Sequence, residues 1–211
     1  MKNILCFGDS NTWGCISGTA NRFPEDVRWT GVLQKELGAS YRVIEEGYNG
    51  RTFVNRDEAE NRPSGIDYFA PCLDSQSPLD LIIIMLGTND LKLRFGLDAE
   101  SIAWSFRRYM TTLQTAPMAG QKPRVLLVAP ILLNECYKSD TVFYSMFGEK
   151  GIERSRALAP ALERTAKELG AEFMDAARFA CAAPPDGIHM DAASHARLGA
   201  AMAARVREIL G

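Results

Sequence analysis

The chain has 211 residues, 46% of them hydrophobic and 24% charged, a composition that fits one folded domain with a substantial core. Its formal net charge of −2 argues against a nucleic-acid partner, because phosphate backbones are bound by basic surfaces. No apolar run approaches the roughly 18 residues that a membrane-spanning helix requires, so no membrane partner is expected.

Short apolar segments recur along the chain and predict five β-strands. Most of them are rich in leucine, isoleucine or valine on both faces, as expected of a parallel sheet that is covered on each side. In chain order they are Asn3–Phe7, Arg42–Glu45, Leu79–Leu86, Arg124–Ala129 and Glu172–Met174.

Longer amphipathic segments lie between the strands and predict helices. Most of these segments open on Ser or Asp, which are favoured N-caps, and two end before a glycine that suits a left-handed C-terminal cap. The predicted helix Glu149–Leu169 contains Pro160, which should kink it. The alternation of strands and helices predicts a single three-layer α/β domain over residues 1–211. The predicted helices are Asp26–Leu37, Ser64–Ser75, Asp98–Thr115, Glu149–Leu169 and Asp191–Leu210.

The least regular stretch is Leu132–Gly148, which follows the fourth predicted strand and is rich in aromatic residues. Open α/β sheets bind ligands beyond the carboxyl ends of their strands. We therefore expect this stretch to form a pocket wall or a partner contact rather than a simple surface loop.

The cysteines and the start of the chain favour the cytoplasm. The five cysteines are odd in number and never form a C-x-x-C pair, which is typical of free thiols in a reducing compartment. A core strand already begins at Asn3, which leaves no space for a signal peptide.

Four polar segments carry the residues that chemistry needs. Residues 8–11 (Gly-Asp-Ser-Asn), 47–52 (Gly-Tyr-Asn-Gly-Arg-Thr) and 87–90 (Gly-Thr-Asn-Asp) follow predicted strands, and residues 186–189 (Asp-Gly-Ile-His) precede the last helix. The carboxyl ends of parallel strands lie side by side, so these segments should converge on one crevice.

The residue types in these segments suit acyl transfer. Ser10 would be the nucleophile, His189 the base, and Asp186 the carboxylate that orients the imidazole. The Ser10 amide, the Gly50 amide and the Asn89 side chain would donate hydrogen bonds to the oxyanion.

The neighbouring acids are expected to be structural: Asp9 would bond loop amides, and Asp90 would order its own loop. The two loop acids therefore have no expected part in the chemistry.

Together these segments resemble the SGNH (GDSL-type) hydrolase family. Ser10 matches the serine of G-D-S, Gly50 the family's glycine, and Asn89 the asparagine of G-x-N-D. Asp186 and His189 match D-x-x-H, and all the blocks occur in the family's order. The resemblance implies a flavodoxin-like α/β/α sandwich with a five-stranded parallel sheet, and it implies that no cofactor is needed.

Longer stretches are similar to one branch of that family, the aryl esterases and acyltransferases (perhydrolases). The residues that carry this similarity are 4–10, 26–33, 43–47 and 83–90. The similarity implies a serine esterase for short acetyl-type or aryl esters, with acyl transfer as a further activity, in a homo-oligomer that is commonly an octamer. It also implies that Trp13, Lys92 and Ile188 line the substrate pocket. The sequence departs from the branch at Asn11, where leucine is commoner, and in residues 132–148.

Other interpretations remain open. A carbohydrate acetylesterase, a thioesterase or a lysophospholipase would use the same residues, because pocket shape decides specificity. A non-enzymatic flavodoxin-like binding domain would have the same crevice.

His195 is an alternative base, although its place in the last helix indicates a packing or surface role. Asp186, His189, Asp191 and His195 could bind a metal, but their spacing is not that of known zinc motifs, and we expect none. G-x-G-x-x-G and phosphate-loop motifs do not occur.

Overall fold

Five parallel strands form the sheet in the computed structural model, which describes residues 1–211. Their order is β2-β1-β3-β4-β5, which is the flavodoxin-like order, so the predicted fold class is confirmed. β3 is buried along its whole length, as expected of a strand with helices on both sides. The strands are β1 (Lys2–Gly8), β2 (Tyr41–Gly47), β3 (Leu81–Met85), β4 (Arg124–Ala129) and β5 (Glu172–Asp175).

The connections reverse direction between β1 and β3. In an open α/β sheet such a switch point leaves a crevice at the carboxyl ends of the strands. Gly8 at the end of β1 pairs with Gly47 of β2 on one side and with Met85 of β3 on the other. The segments that follow these three strands therefore begin side by side.

Eight helices connect or cover the strands. The packing of α2 and α8 covers one face of the sheet, and α3, α5 and α7 contribute to the core on the other face. None of the helices combines the length and apolar character needed to cross a bilayer. The helices are α1 (Ser10–Trp13), α2 (Trp29–Leu37), α3 (Gly65–Gln76), α4 (Ala99–Trp104), α5 (Phe106–Thr115), α6 (Thr141–Phe147), α7 (Gly151–Glu168) and α8 (Ala192–Leu210).

One predicted helix is divided into two in the structure. The helix predicted over Asp98–Thr115 is divided at Ser105, whose hydroxyl donates to the carbonyl of Ser101 at 3.2 Å. Its amide instead donates to the carbonyl of Ile102, which shortens the turn. In α7, Pro160 lies inside a helix that continues to Glu168, and the kink at Pro160 stays a prediction.

Candidate active site

The structure brings Ser10, His189 and Asp186 together from opposite ends of the chain. The Ser10 hydroxyl lies 2.9 Å from Nε2 of His189, and Nδ1 of the same ring lies 2.7 Å from Oδ2 of Asp186. This is the arrangement of a serine–histidine–aspartate triad, in which the imidazole can accept the serine proton while the carboxylate orients it. The spatial relation predicted from the sequence is present.

A tight turn holds Asp186 in place. Its Oδ1 accepts the amides of Ile188 at 2.8 Å and His189 at 2.9 Å, and its Oδ2 accepts the amide of Gly18 at 2.8 Å. These bonds stabilise the ionised carboxylate and leave Oδ2 aligned with the imidazole. The spacing of three residues between Asp186 and His189 is thus explained by one turn.

The Asp186–His189 contact shifts both pKa values toward the charged forms. Burial would raise the pKa of Asp186, but the hydrogen bond and charge of His189 hold it well below its usual range. Burial would likewise lower the pKa of His189, but the hydrogen bond and charge of Asp186 raise it above its ordinary value. The pair therefore favours the imidazolium that forms when serine loses its proton.

Ser10 is the first residue of the short helix α1, directly after β1. Asp9 caps this helix by accepting the Asn11 amide at 2.9 Å, as expected of a structural acid, and burial raises the pKa of Asp9 to about 6. A Cβ on Gly8 would lie only 2.7 Å from Cβ of Thr12, so the turn into α1 requires glycine there. The Gly-Asp-Ser order is therefore set by local geometry as well as by chemistry.

Ser10, Gly50 and Asn89, which carry the three predicted oxyanion donors, line one cavity together with His189. The amides of Ser10 and Gly50 donate to no protein acceptor, and Gly50 has a φ of 78°, a conformation that favours glycine. Nδ2 of Asn89 donates to the carbonyl of Arg51 at 3.1 Å, which leaves its second hydrogen free. The donors can thus face a substrate carbonyl near Ser10.

Asp90 supports this arrangement in a way the sequence did not predict. We expected Asp90 to order its own loop, but both of its oxygens accept the amide of Phe53, at 2.9 and 3.1 Å. Burial raises the pKa of Asp90 to about 7. The role of Asp90 is structural, as expected, but its bond to Phe53 reaches beyond its own loop because the segment after β3 folds against the segment after β2.

The cavity has a volume of about 170 Å³ and two chemically different walls. Its apolar wall includes Phe143, Met146 and Phe147 of the aromatic stretch, together with Ile188. The stretch is not irregular throughout, because it contains a short 3₁₀ helix over Glu135–Ser139 as well as α6. The expected role of this stretch as a pocket wall therefore agrees with the geometry.

The other wall is polar, and it contains residues that the sequence analysis did not select. Asn49, Glu60 and Arg62 line the cavity, as does Cys15. Asn49 precedes Gly50, so its position was a usable signal. Glu60 and Arg62 belong to a loop closed by an antiparallel bridge between Asp57 and Arg62, and no local pattern indicated that this loop would fold over the site.

Two of the three expected pocket residues, Lys92 and Ile188, line the cavity. The ammonium of Lys92 is bound to Asp57 at 3.0 Å and to Glu60 at 2.9 Å. Trp13 is not among the residues that line this cavity, and its contact with substrate stays a prediction. The Trp13 ring instead packs against the guanidinium of Arg22, whose Cζ lies 5.0 Å from the centroid of the ring.

His195 does not compete with His189 as a base. It is fully buried in α8, its Nδ1 accepts the amide of Trp29 at 3.2 Å, and burial lowers its pKa to about 4. Asp191 caps α8 by accepting the Ser194 amide at 2.7 Å. No group of three or more His, Cys, Asp or Glu side chains is placed to hold a metal ion.

Comparisons with known proteins agree with this site. The family model described as "GDSL-like Lipase/Acylhydrolase family" matches residues 6–197. A comparison with curated protein sequences found no significant match.

Among solved structures, an aryl esterase of M. smegmatis is 38% identical to this chain with a TM-score of 0.94. A carbohydrate acetylesterase of Sinorhizobium meliloti is 37% identical with a TM-score of 0.93. Each of these two comparisons covers 100% of both chains. A putative arylesterase of Agrobacterium tumefaciens is 39% identical with a TM-score of 0.89, again over 100% of both chains. The chain belongs to the GDSL-like lipase and acylhydrolase family, the SGNH hydrolases.

Proposed function

We propose that the protein is a serine esterase that hydrolyses short acetyl-type or aryl esters through an acyl-enzyme on Ser10. The observation that carries this proposal is the continuous hydrogen-bonded chain from Ser10 through His189 to Asp186, at the edge of a cavity. Membership of an acylhydrolase family makes a carboxylic ester hydrolase the consistent assignment.

The proposed reaction has two halves. Ser10 attacks the ester carbonyl while His189 takes the hydroxyl proton, and the protonated ring then gives that proton to the leaving alcohol. Water, activated by the same imidazole, attacks the acyl-enzyme and releases the acid and free Ser10. The Ser10 and Gly50 amides and the Asn89 side chain stabilise the oxyanion in both halves. Protein groups and water supply every step, so the mechanism requires no cofactor.

The size of the cavity supports a small substrate. Its volume of about 170 Å³ lies below the roughly 300–1,000 Å³ typical of pockets for drug-sized ligands. The similar structures named above include an aryl esterase and a carbohydrate acetylesterase, and both names imply ester substrates that a serine triad can cleave. Transfer of the acyl group to an alcohol or to peroxide is a further proposed outcome, because it differs only in the acceptor.

Chain length of the acyl group tests the substrate assignment. We expect kcat/KM for para-nitrophenyl esters to be highest between acetate and butyrate and to fall at least about tenfold by octanoate, because the apolar wall of Phe143, Met146 and Phe147 limits the space. Initial rates with a graded ester series would measure this, with the uncatalysed hydrolysis of each ester as the control. A preference for octanoate or longer chains would favour a lysophospholipase instead.

Location and assembly are part of the proposal. All five cysteines are free, and Cys6, Cys15 and Cys72 are buried, which supports a reducing compartment such as the cytoplasm. Exposed Trp104 and Val142, whose exposed fractions are 64% and 56%, are apolar side chains that contact with another copy could cover. Assembly into a homo-oligomer rests on these residues and on the similarity to the aryl-esterase branch.

A further inference from the structure

Arg62 differs from the other charged residues around the cavity because it forms no ion pair. Lys92 and Arg94 both bind Asp57 and Glu60, at distances between 2.9 and 3.1 Å. The two positive charges and the two negative charges of this group therefore balance. The guanidinium of Arg62 instead donates to the Tyr48 hydroxyl at 3.3 Å and lies over the Tyr48 ring, 5.5 Å from its centroid. The polar wall therefore carries one uncompensated positive charge.

Arg62 lines the cavity together with Ser10 and His189. Its Cγ would lie 3.1 Å from a Cβ on Gly50, so its aliphatic stem packs directly on the residue whose amide is a proposed oxyanion donor. The Asp57–Arg62 bridge and the Lys92 ion pairs hold the loop in this place. An arginine that lines a small cavity and has no ion-pair partner is well suited to bind a carboxylate, because its fork of donors matches two carboxylate oxygens.

We propose that Arg62 is a specificity residue that selects esters bearing a carboxylate on either the alcohol or the acyl part. This inference rests on the proposed esterase function and names its substrate class. Oε2 of Glu60 also lies 3.6 Å from a Cβ on Gly50, but the charge of Glu60 is balanced by Lys92 and Arg94, which bind Oε1.

The test compares anionic esters with neutral esters of the same shape. The alcohol arm uses para-acetoxybenzoate against its methyl ester, and the acyl arm uses a phenyl hemisuccinate against its methyl ester. We expect Arg62→Gln to lower kcat/KM for the anionic member of one arm by roughly three- to tenfold more than for its neutral partner. Arg62→Lys should retain part of the preference. The intrinsic reactivity of each ester cancels from the result, because the rate with one ester is compared between the wild-type protein and the variant.

Arg56→Gln is the matched control, since Arg56 lies on the same loop but binds Glu58 outside the cavity. It should leave the anionic-to-neutral ratio at its wild-type value. If the neutral esters are hydrolysed and Arg62→Gln changes the ratio in neither arm, the specificity inference is wrong and the esterase function stands. If the wild-type protein hydrolyses no ester, the proposed function fails together with this inference.

A second inference comes from Asn11, which the sequence analysis noted only as a departure from the family pattern. Its side chain is buried, and it spans the two peptide groups on either side of His189. Nδ2 donates to the carbonyl of Ile188 at 3.2 Å, and Oδ1 accepts the amide of Met190 at 3.0 Å. A leucine at this position could make neither bond.

We infer that Asn11 is a positioning residue that fixes the backbone of His189 against the nucleophile helix. Asn11 directly follows Ser10 in α1, so its two hydrogen bonds tie the base and the nucleophile to one rigid element. A shift of about 1 Å in a reacting group can cost on the order of 100-fold in rate. The clamp therefore acts through His189, without contact to the substrate.

Two substitutions separate positioning from general stability. Asn11→Leu keeps the number and branching of the side-chain heavy atoms and Asn11→Ala leaves a cavity, but both remove the clamp. We expect each to lower kcat by about 10- to 100-fold with little change in KM. Loosening the contact with Asp186 should also let the pKa of His189 fall, so the acid limb of the kcat/KM profile should move to lower pH.

Asn3→Leu is the control, because Asn3 bonds the carbonyl of Pro78 at the other end of β1. It should lower the melting temperature without changing kcat or the pH profile. If the loss of kcat in the Asn11 variants follows their loss of melting temperature, and the acid limb stays in place, Asn11 is only structural and the inference is wrong.

Discussion

Replacing Ser10 by alanine is expected to lower kcat for para-nitrophenyl acetate by about 10⁴-fold or more. The hydroxyl forms the bond to the acyl group, and no other hydroxyl is shown within hydrogen-bond distance of Nε2 of His189. The fold should persist, because Ser10 contributes only a small side chain to α1. Steady-state kinetics and thermal denaturation of the purified variant measure both effects.

A fluorophosphonate probe gives an independent measurement of the same residue. The wild-type protein should be labelled on Ser10, as peptide mass spectrometry can show, whereas Ser10→Ala should stay unlabelled. Ser145→Ala is the control, because the hydroxyl of Ser145 only donates to the carbonyl of Val142 within α6. Hydrolysis by Ser10→Ala at a rate near the wild-type rate would remove this serine from the mechanism.

Replacing Asn89 by alanine is expected to lower kcat by about 10²–10³-fold, the cost of losing one oxyanion donor. The side-chain amide of Asn89 lines the cavity, and one of its hydrogens is already held by the carbonyl of Arg51. That bond orients the remaining hydrogen before the substrate arrives, so stabilisation appears in the transition state. The effect should therefore lie mainly in kcat.

The control for this variant is Asn134→Ala, which removes an asparagine that bonds the Cys136 amide outside the cavity. Its kcat should stay within about twofold of the wild-type value. A loss below about tenfold in Asn89→Ala, or one confined to KM, would show that Asn89 is not an oxyanion donor. A much lower melting temperature would instead assign the loss to the bond with Arg51.

Local sequence patterns were sufficient to predict where the strands lie and which residues carry the chemistry. The bounds of β4 agree with the prediction at both ends, because an apolar run between polar segments is a local property. Ser10, Asp186 and His189 could be selected because acyl transfer limits the residue types and the fold places strand ends together. The division at Ser105 was missed, since the pattern of apolar residues does not show where a backbone amide donates three residues back instead of four.

Only the tertiary structure decided which distant segments contact one another around the site. The bonds from Asn11 to the backbone beside His189, from Asp90 to Phe53, and from Lys92 to Asp57 all join loops that are far apart in sequence. Periodicity describes one element at a time, so it predicts which face of that element is buried but not which loop covers it. Loop packing decided which charged side chains line the cavity, and this packing depends on the whole three-layer arrangement.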